Sequence, residues 1–186
     1  FMKEQLFDHI DIPVNNYHLP DGTLPLDKIP EFCRDYEAKI ERLGGFDYYL
    51  LGIGRNGHIG FNEPGSTINS KTRLMTLDIA TKIDASPDFG GLQKVPKKAI
   101  TLGIDSIMKS KKIVLLAWGE HKADSVAKAV EGTVTSDTPA SYLQLHPNAS
   151  FILDETAASM LTRIKTPWLV DSVNWDRNMI KKAVTH

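Results

Sequence analysis

The segment that most constrains this chain is an apolar run that leads directly into a glycine-rich loop. Residues 46–53 read FDYYLLGI, and the sequence LGIGRNGHIGFNEPGS at 51–66 continues from this run. A short, continuously apolar run rich in aromatic residues is typical of a strand that is buried on both faces. In α/β proteins, ligands bind beyond the carboxyl ends of such strands. We therefore expect residues 51–66 to contain a ligand-binding loop.

Strand-like and helix-like segments alternate along the chain. Further strands are predicted at 74–77, 99–102, 112–118 and 150–154, and helices at 27–43 (with Asp27 as N-cap), 105–110, 122–131, 140–145 and 174–184. This order predicts an α/β fold with a doubly wound, mostly parallel, Rossmann-like sheet flanked by helices. We expect residues 1–166 to form a partial domain that is incomplete at its N-terminus. Residues 167–186 then form a connector and a C-terminal helix that continue toward a further domain.

Composition excludes several classes of protein. The 186 residues include 22 Lys and Arg against 23 Asp and Glu, so the net charge of −1 gives no reason to expect a nucleic acid or an anionic membrane as partner. No apolar run approaches the roughly 20 residues of a transmembrane helix. The single cysteine, Cys33, excludes a disulfide framework, and no two histidines stand four residues apart as metal ligands on a helix would. We expect a cytoplasmic protein without metal or cofactor.

The glycine-rich loop contains groups that suit proton transfer. It carries the imidazole of His58, the carboxylate of Glu63 and the amide of Asn56, and Gly54 and Gly57 stand among them. A histidine takes and returns a proton near neutral pH, and a neighbouring carboxylate fixes its tautomer. The glycine spacing matches neither a Walker loop nor the dinucleotide fingerprint. The alternative is a glycine-rich turn with a solvent-exposed histidine.

The same loop resembles the signature of the glucosamine-6-phosphate deaminase (isomerase) family. Residues 54–66 read GRNGHIGFNEPGS. The related 6-phosphogluconolactonases share only the Gly-x-Asp-Gly-His half, so the Phe-Asn-Glu-Pro half favours the deaminase branch. Other segments resemble family segments in the same order, namely 7–13, 72–73, 95–103, 122–123, 130–132 and 143–147. The resemblance extends over residues 1 to 160.

The resemblance implies an enzyme that acts on an amino-sugar phosphate. Enzymes of this family open the ring of glucosamine 6-phosphate, move a proton between C1 and C2, and release ammonia to leave fructose 6-phosphate, without a metal. By the resemblance His58 is the acid and base of ring opening, Glu63 orients and polarises it, and Asn56 supports both. The resemblance also implies a homo-oligomer in the intact protein.

Further site residues follow from the same resemblance. Gly54 and Gly57 belong to the substrate site, and Lys122 matches the lysine that binds the sugar phosphate. Without the resemblance, Lys122 would be interpreted as a solvated surface lysine. Ser66 and Arg73 match two residues of the family's allosteric site.

Three positions depart from the family pattern. Asn56 stands where the family has Asp, Asp84 lies in the stretch 84–87 where a second phosphate-binding Arg is expected, and Met75 replaces an allosteric Lys. Ser66 and Arg73 therefore match two of the three allosteric residues, and the third is absent. Two alternatives stay open, and Asn56 and the missing Arg favour the first of them. One is a sugar-phosphate binding or sensor module that does not turn its ligand over, and the other is a 6-phosphogluconolactonase-type hydrolase.

The family's upstream phosphate loop and proton-abstracting Asp have no counterpart in the sequence. We therefore expect this chain to be the carboxyl-terminal two-thirds of a longer polypeptide and to be inactive alone. The tail at 166–170 resembles a long subfamily in which a second domain follows.

Overall fold

Three parallel strands form the central sheet of the computed structural model, which describes residues 1–185. The strands of the molecule are β1 (Tyr49–Gly52), β2 (Arg73–Thr76), β3 (Lys98–Thr101), β4 (Ile113–Ala117) and β5 (Ala149–Leu153). The central sheet has the order β1–β4–β5, with β4 in the middle. Leu51 of β1 lies opposite Leu115 of β4, which lies opposite Phe151 of β5. All three strands therefore end at the same edge of the sheet.

Seven helices accompany the strands within the described residues. They are α1 (Met2–Gln5), α2 (Ile29–Arg42), α3 (Ile79–Ala85), α4 (Ile104–Met108), α5 (Ala123–Val130), α6 (Thr162–Lys165) and α7 (Arg177–Thr185). Short 3₁₀ segments at 7–9, 14–16, 92–94, 120–122, 139–145 and 167–169 link them. A mostly parallel sheet flanked by helices confirms the predicted α/β class.

The core explains why the run at 112–118 becomes the central strand. Ile113 and Leu115 are fully buried, and they pack in one cluster with Leu51 of β1, Val126 of α5 and Leu143 of the 139–145 segment. A strand with neighbours on both sides and elements on both faces needs apolar residues at successive positions. The unbroken apolar run therefore places β1 and β4 side by side, and the loop after β1 lies beyond their carboxyl ends.

β2 and β3 lie outside the parallel sheet. They pair with each other in antiparallel fashion, with Arg73 opposite Thr101. The chain between them contains α3, and the ladder is extended by a hydrogen bond from the Leu77 amide to the Lys97 carbonyl at 3.0 Å. This hairpin-like excursion brings α3 back to the glycine-rich loop.

Several local predictions were wrong. Asp27 does not cap α2, which begins at Ile29 after Lys28 and has Pro30 in its first turn. The helix predicted at 140–145 is a 3₁₀ segment that begins at Pro139. α3 has only seven residues and was not predicted; its one signal is Asp78, whose side chain caps the helix by accepting from the Ala80 amide at 2.7 Å.

The last part of the chain contains a 3₁₀ turn at 167–169 and α7, and His186 lies outside the described residues. The domain boundary at 166 and a continuation into a further domain stay predictions. Across residues 1–185 no helix is long and apolar enough to cross a membrane.

Candidate active site

The glycine-rich loop turns tightly at the carboxyl end of β1. The Gly54 amide donates to the His58 carbonyl and the Gly57 amide donates to the Gly54 carbonyl, both at 2.9 Å. Gly57 has φ +82°, and a Cβ at this position would lie 2.8 Å from Cγ2 of Thr138. A Cβ at Gly54 would lie 2.3 Å from the imidazole of His58. Glycine is therefore required at Gly57 for the turn and at Gly54 for the imidazole to lie against the backbone.

His58 and Glu63 form a pair at the centre of the site. His58 Nδ1 lies 3.3 Å from Glu63 Oε2, and the two side chains are 15% and 5% exposed. The Thr81 hydroxyl also lies 3.2 Å from His58 Nδ1. Because Nδ1 contacts Glu63 and Thr81, Nε2 is the ring nitrogen that makes no hydrogen bond to any residue in 1–185. The pair therefore leaves one imidazole nitrogen for a ligand.

Asn56 fits this pair through both ends of its amide. Its Nδ2 donates to Glu63 Oε2 at 2.8 Å, and its Oδ1 accepts from the His58 backbone amide at 3.2 Å. An aspartate in the same position has no proton to donate to the Glu63 carboxylate when ionised. The amide is thus complementary to an ionised Glu63.

Glu63 is held in its charged form. Burial alone would raise its pKa, but hydrogen bonds from His58, Thr81 and Asn56, with the charge of a protonated His58, lower the pKa to about 2. The Asp78 amide adds a donor to Glu63 Oε1 at 3.2 Å. The Glu63 carboxylate is therefore ionised near neutral pH, and it can accept a hydrogen bond from the Nδ1–H of His58 and fix the tautomer of the imidazole.

A cavity of about 310 Å³ connects His58 with Lys122. Its lining consists of Gly52, Ile53, Gly54, His58, Gly60, Thr81, Asp84, Ala85 and Lys122. Lys122 comes from the 120–122 turn after β4 and is half-buried, and burial lowers the pKa of its ammonium group. Within residues 1–185 this ammonium group makes no hydrogen bond or ion pair. The structure thus brings His58, Gly54 and Lys122 to one cavity, with Asn56, Glu63 and Gly57 behind its wall.

Two residues of the site come from α3. Thr81 contacts the imidazole, and Asp84 lines the cavity and forms an ion pair with Arg55 of the loop. Neither role could be predicted from the sequence, because α3 is too short for a helical pattern and its contacts span more than twenty residues of chain. The N-cap Asp78 is the one signal that marks the start of this element.

Ser66 and Arg73 lie together but outside the His58 cavity. Arg73 Nη2 donates to Ser66 Oγ at 2.8 Å, and Nη1 donates to Asn62 Oδ1 at 2.9 Å. Arg73 also lines a larger, mostly apolar cavity of about 590 Å³ between α2 and β2. Ser66 is buried and does not line either cavity. The allosteric role suggested for Ser66 and Arg73 stays a prediction.

The described residues contain no cluster of three His, Cys, Asp or Glu side chains that could hold a metal ion. The described residues bring to the His58 cavity an imidazole with a carboxylate behind it and an ammonium group. This set can move a proton and bind an anion.

The chain matches one family model and is similar to several known proteins. The family model for glucosamine-6-phosphate isomerases and 6-phosphogluconolactonase matches residues 1–152. A glucosamine-6-phosphate deaminase-like protein of Bacteroides thetaiotaomicron is 50% identical over 183 residues, which is 98% of this chain and 28% of that protein. The glucosamine-6-phosphate deaminase of Shewanella woodyi is 51% identical over 162 residues, 87% of this chain and 61% of the relative. The chain thus spans less than two thirds of the length of both relatives.

Two solved structures are also similar to the chain. A structure described as a monomeric glucosamine-6-phosphate deaminase superposes with a TM-score of 0.82 at 43% identity, covering 86% of this chain and 65% of that one. The 6-phosphogluconolactonase of Thermotoga maritima has a TM-score of 0.59 at 23% identity, covering 82% of this chain and 62% of that one, and supports the fold alone.

Proposed function

The chain belongs to the family of glucosamine-6-phosphate isomerases and 6-phosphogluconolactonases, as its loop predicts, and from this we propose that the intact protein is a glucosamine-6-phosphate deaminase. The reaction converts glucosamine 6-phosphate and water to fructose 6-phosphate and ammonia. One observation carries the proposal: the His58–Glu63 pair stands at the wall of a cavity that also holds the unpaired Lys122. Acid–base chemistry and anion binding are the two needs of this substrate.

His58 is proposed to open the sugar ring. Ring opening transfers a proton from the anomeric hydroxyl to the ring oxygen, and one imidazole held over the sugar performs both halves of this transfer. Nδ1 faces Glu63 and Thr81, so Nε2 is the atom that takes and returns the proton. Glu63 fixes the Nδ1–H tautomer and stabilises the imidazolium, and Asn56 holds Glu63 in place.

Lys122 is proposed to bind the phosphate group. A half-buried ammonium group without a partner in residues 1–185 gains more from an entering anion than a solvated lysine does, because the cavity screens the interaction less than water. Gly54 allows the sugar to approach the backbone beside the imidazole.

The test is His58→Ala in the intact protein, with ammonia release from glucosamine 6-phosphate as the readout. We expect turnover to fall by about 10²-fold or more, which is the usual contribution of a general acid–base group. His9→Ala, at an exposed histidine of the 7–9 turn, is the matched control and keeps full activity. Equal turnover of the His58→Ala variant and wild type contradicts the proposal.

A second candidate is a sugar-phosphate binding or sensor module, which the Asn56 amide at the family's Asp position favours. Calorimetry would then show binding of glucosamine 6-phosphate without ammonia release, and Asn56→Asp would gain activity. The third candidate, a lactonase-type hydrolase, requires hydrolysis of 6-phosphogluconolactone by the same protein.

Three further expectations belong to this proposal. The 186 residues alone release no ammonia, which an assay beside the intact protein checks. The intact protein is a homo-oligomer, which light scattering measures; the similar structure at 43% identity is described as monomeric. The protein is cytoplasmic, which cell fractionation tests.

A further inference from the structure

A bidentate ion pair lies at the edge of the His58 cavity, and no step of the proposed reaction uses it. Arg55 Nε donates to Asp84 Oδ2 at 2.9 Å, and Arg55 Nη2 lies 2.5 Å from Asp84 Oδ1. Arg55 belongs to the loop after β1, and Asp84 lies in the last turn of α3. The side chains are 44% and 36% exposed, so an entering solute reaches both.

Asp84 places a negative charge in the cavity that Lys122 lines. Burial lowers the pKa of Lys122, while Asp84 acts to raise this pKa and Arg55 lowers it further. The three charged groups therefore lie within electrostatic reach of one another. Lys122 is unpaired within residues 1–185, whereas the charge of Arg55 is neutralised by Asp84.

This arrangement responds to an anion in a particular way. The planar guanidinium group of arginine matches a phosphate as well as it matches a carboxylate, with two parallel hydrogen bonds in either case. A phosphate that approaches Lys122 is repelled by the Asp84 carboxylate and attracted by Arg55. If the phosphate takes the place of Asp84 on Arg55, it gains a second cation and the repulsion is relieved.

We propose that Arg55 is a second phosphate-binding residue and that Asp84 is an internal competitor, which holds the Arg55 guanidinium until the phosphate of the ligand replaces it. The inference deepens the proposed function and rests on it, because it assumes a phosphorylated ligand at the His58 cavity. Asp84 weakens phosphate binding, and Arg55 strengthens it. An uncharged sugar has no group that replaces the carboxylate, so the pair favours phosphorylated ligands.

The experiment titrates the intact protein with inorganic phosphate by calorimetry, as wild type, Asp84→Asn and Arg55→Gln. We expect Asp84→Asn to tighten phosphate binding about 10-fold and Arg55→Gln to weaken it about 10-fold, the usual effect of one charge-assisted hydrogen bond. Asp47→Asn is the matched control. It removes one carboxylate from the exposed Asp47–Lys111 pair at the opposite end of the strands, and phosphate binding is unchanged.

The opposite signs separate this inference from a structural role. If the Arg55–Asp84 ion pair only holds α3 against the loop, both variants remove the same contact. Phosphate binding then changes in the same direction in both variants, or in neither. Either result overturns the inference. The titration needs no turnover, so it also separates the inference from the proposed function: opposite signs without ammonia release sustain the phosphate site and reject the deaminase.

Discussion

At the scale of single residues, the site depends on a carboxylate that is buried and still ionised. Glu63 is 4% exposed, and its donors come from the loop and from α3. Burial favours the protonated acid, while the hydrogen bonds favour the carboxylate and outweigh burial. Folding and ionisation of Glu63 are therefore linked.

This linkage predicts a loss of stability in acid. The pKa of Glu63 falls from 4.5 to about 2 on folding, so its contribution is complete above pH 4.5 and disappears as the pH falls toward 2. The ionised Glu63 contributes roughly 3 kcal/mol to the free energy of unfolding, and about 1 kcal/mol of this contribution is lost between pH 5 and pH 3.5. Urea unfolding of wild type and of Glu63→Gln at pH 5 and at pH 3.5 measures this loss of stability. Glu155→Gln, at an exposed carboxylate, is the control, and an equal acid loss in Glu63→Gln and wild type contradicts the prediction.

Asn56→Asp tests the complementarity of the amide with Glu63. The new carboxylate replaces a donor that lies 2.8 Å from Glu63 Oε2, so the two acids share a proton and the pKa of one of them rises. We expect the acidic limb of the pH–rate profile to move up by about one unit. Asn56→Ala removes the same hydrogen bond without adding charge, and its acidic limb moves less. If the acidic limb of Asn56→Asp does not shift, the pKa of Glu63 does not depend on the residue at position 56.

The residues that the loop brings to the site could be predicted from the sequence, whereas the residues of α3 that contact them could not. His58, Glu63 and Asn56 stand within eight residues of one loop, so their proximity follows from the chain itself. Thr81 and Asp84 reach the site only through the fold. The cause is physical: a contact across twenty or more residues depends on packing, which a local pattern does not encode.

At the scale of elements, the positions of β2 and β3 could be predicted from the sequence as well as those of β1 and β4, but the pairing of β2 with β3 could not. Strands buried on both faces leave an unbroken apolar run in the sequence. The antiparallel pairing of β2 with β3 depends on a register between distant segments, and residues 73–76 are only partly buried, which weakens their pattern.

The loop after β1 predicts a specific cost for an added methyl group. Gly57→Ala places an L residue at φ +82° and a Cβ 2.8 Å from Thr138 Cγ2, so we expect the free energy of unfolding to fall by about 1–3 kcal/mol. Thr138→Ser removes that methyl group, and the double variant recovers the steric part of the loss. Gly22→Ala, where a Cβ meets nothing within 4 Å, is the control for urea unfolding. No recovery in the double variant would assign the entire cost to backbone strain.

At the scale of the whole molecule, one buried side of α2 connects separate parts of the fold. Glu37 of α2 accepts hydrogen bonds from the Thr72 amide at 2.8 Å and the Thr72 hydroxyl at 2.5 Å, next to β2, and from the Ser106 hydroxyl of α4 at 2.6 Å. Burial raises the pKa of Glu37, but these hydrogen bonds outweigh it and lower the pKa overall. Helix α2 is thus attached to the rest of the molecule by a charge as well as by its apolar stripe.

Removal of this charge should loosen α2 without disrupting the central sheet. Glu37→Ala leaves three donors without their acceptor, so we expect the free energy of unfolding to fall by about 2–4 kcal/mol, and Glu37→Gln, which keeps an acceptor oxygen, to cost about 1 kcal/mol. Hydrogen exchange shows where the loss occurs. In Glu37→Ala, the protection of the β4 amides falls only by as much as the global free energy of unfolding. The amides of α2 lose more protection than that, because the helix opens locally. Glu41→Ala, at an exposed carboxylate one turn further along α2, is the control. If the amides of α2 lose no more protection than those of β4, Glu37 stabilises the whole fold rather than one helix, and the molecule unfolds as a single unit.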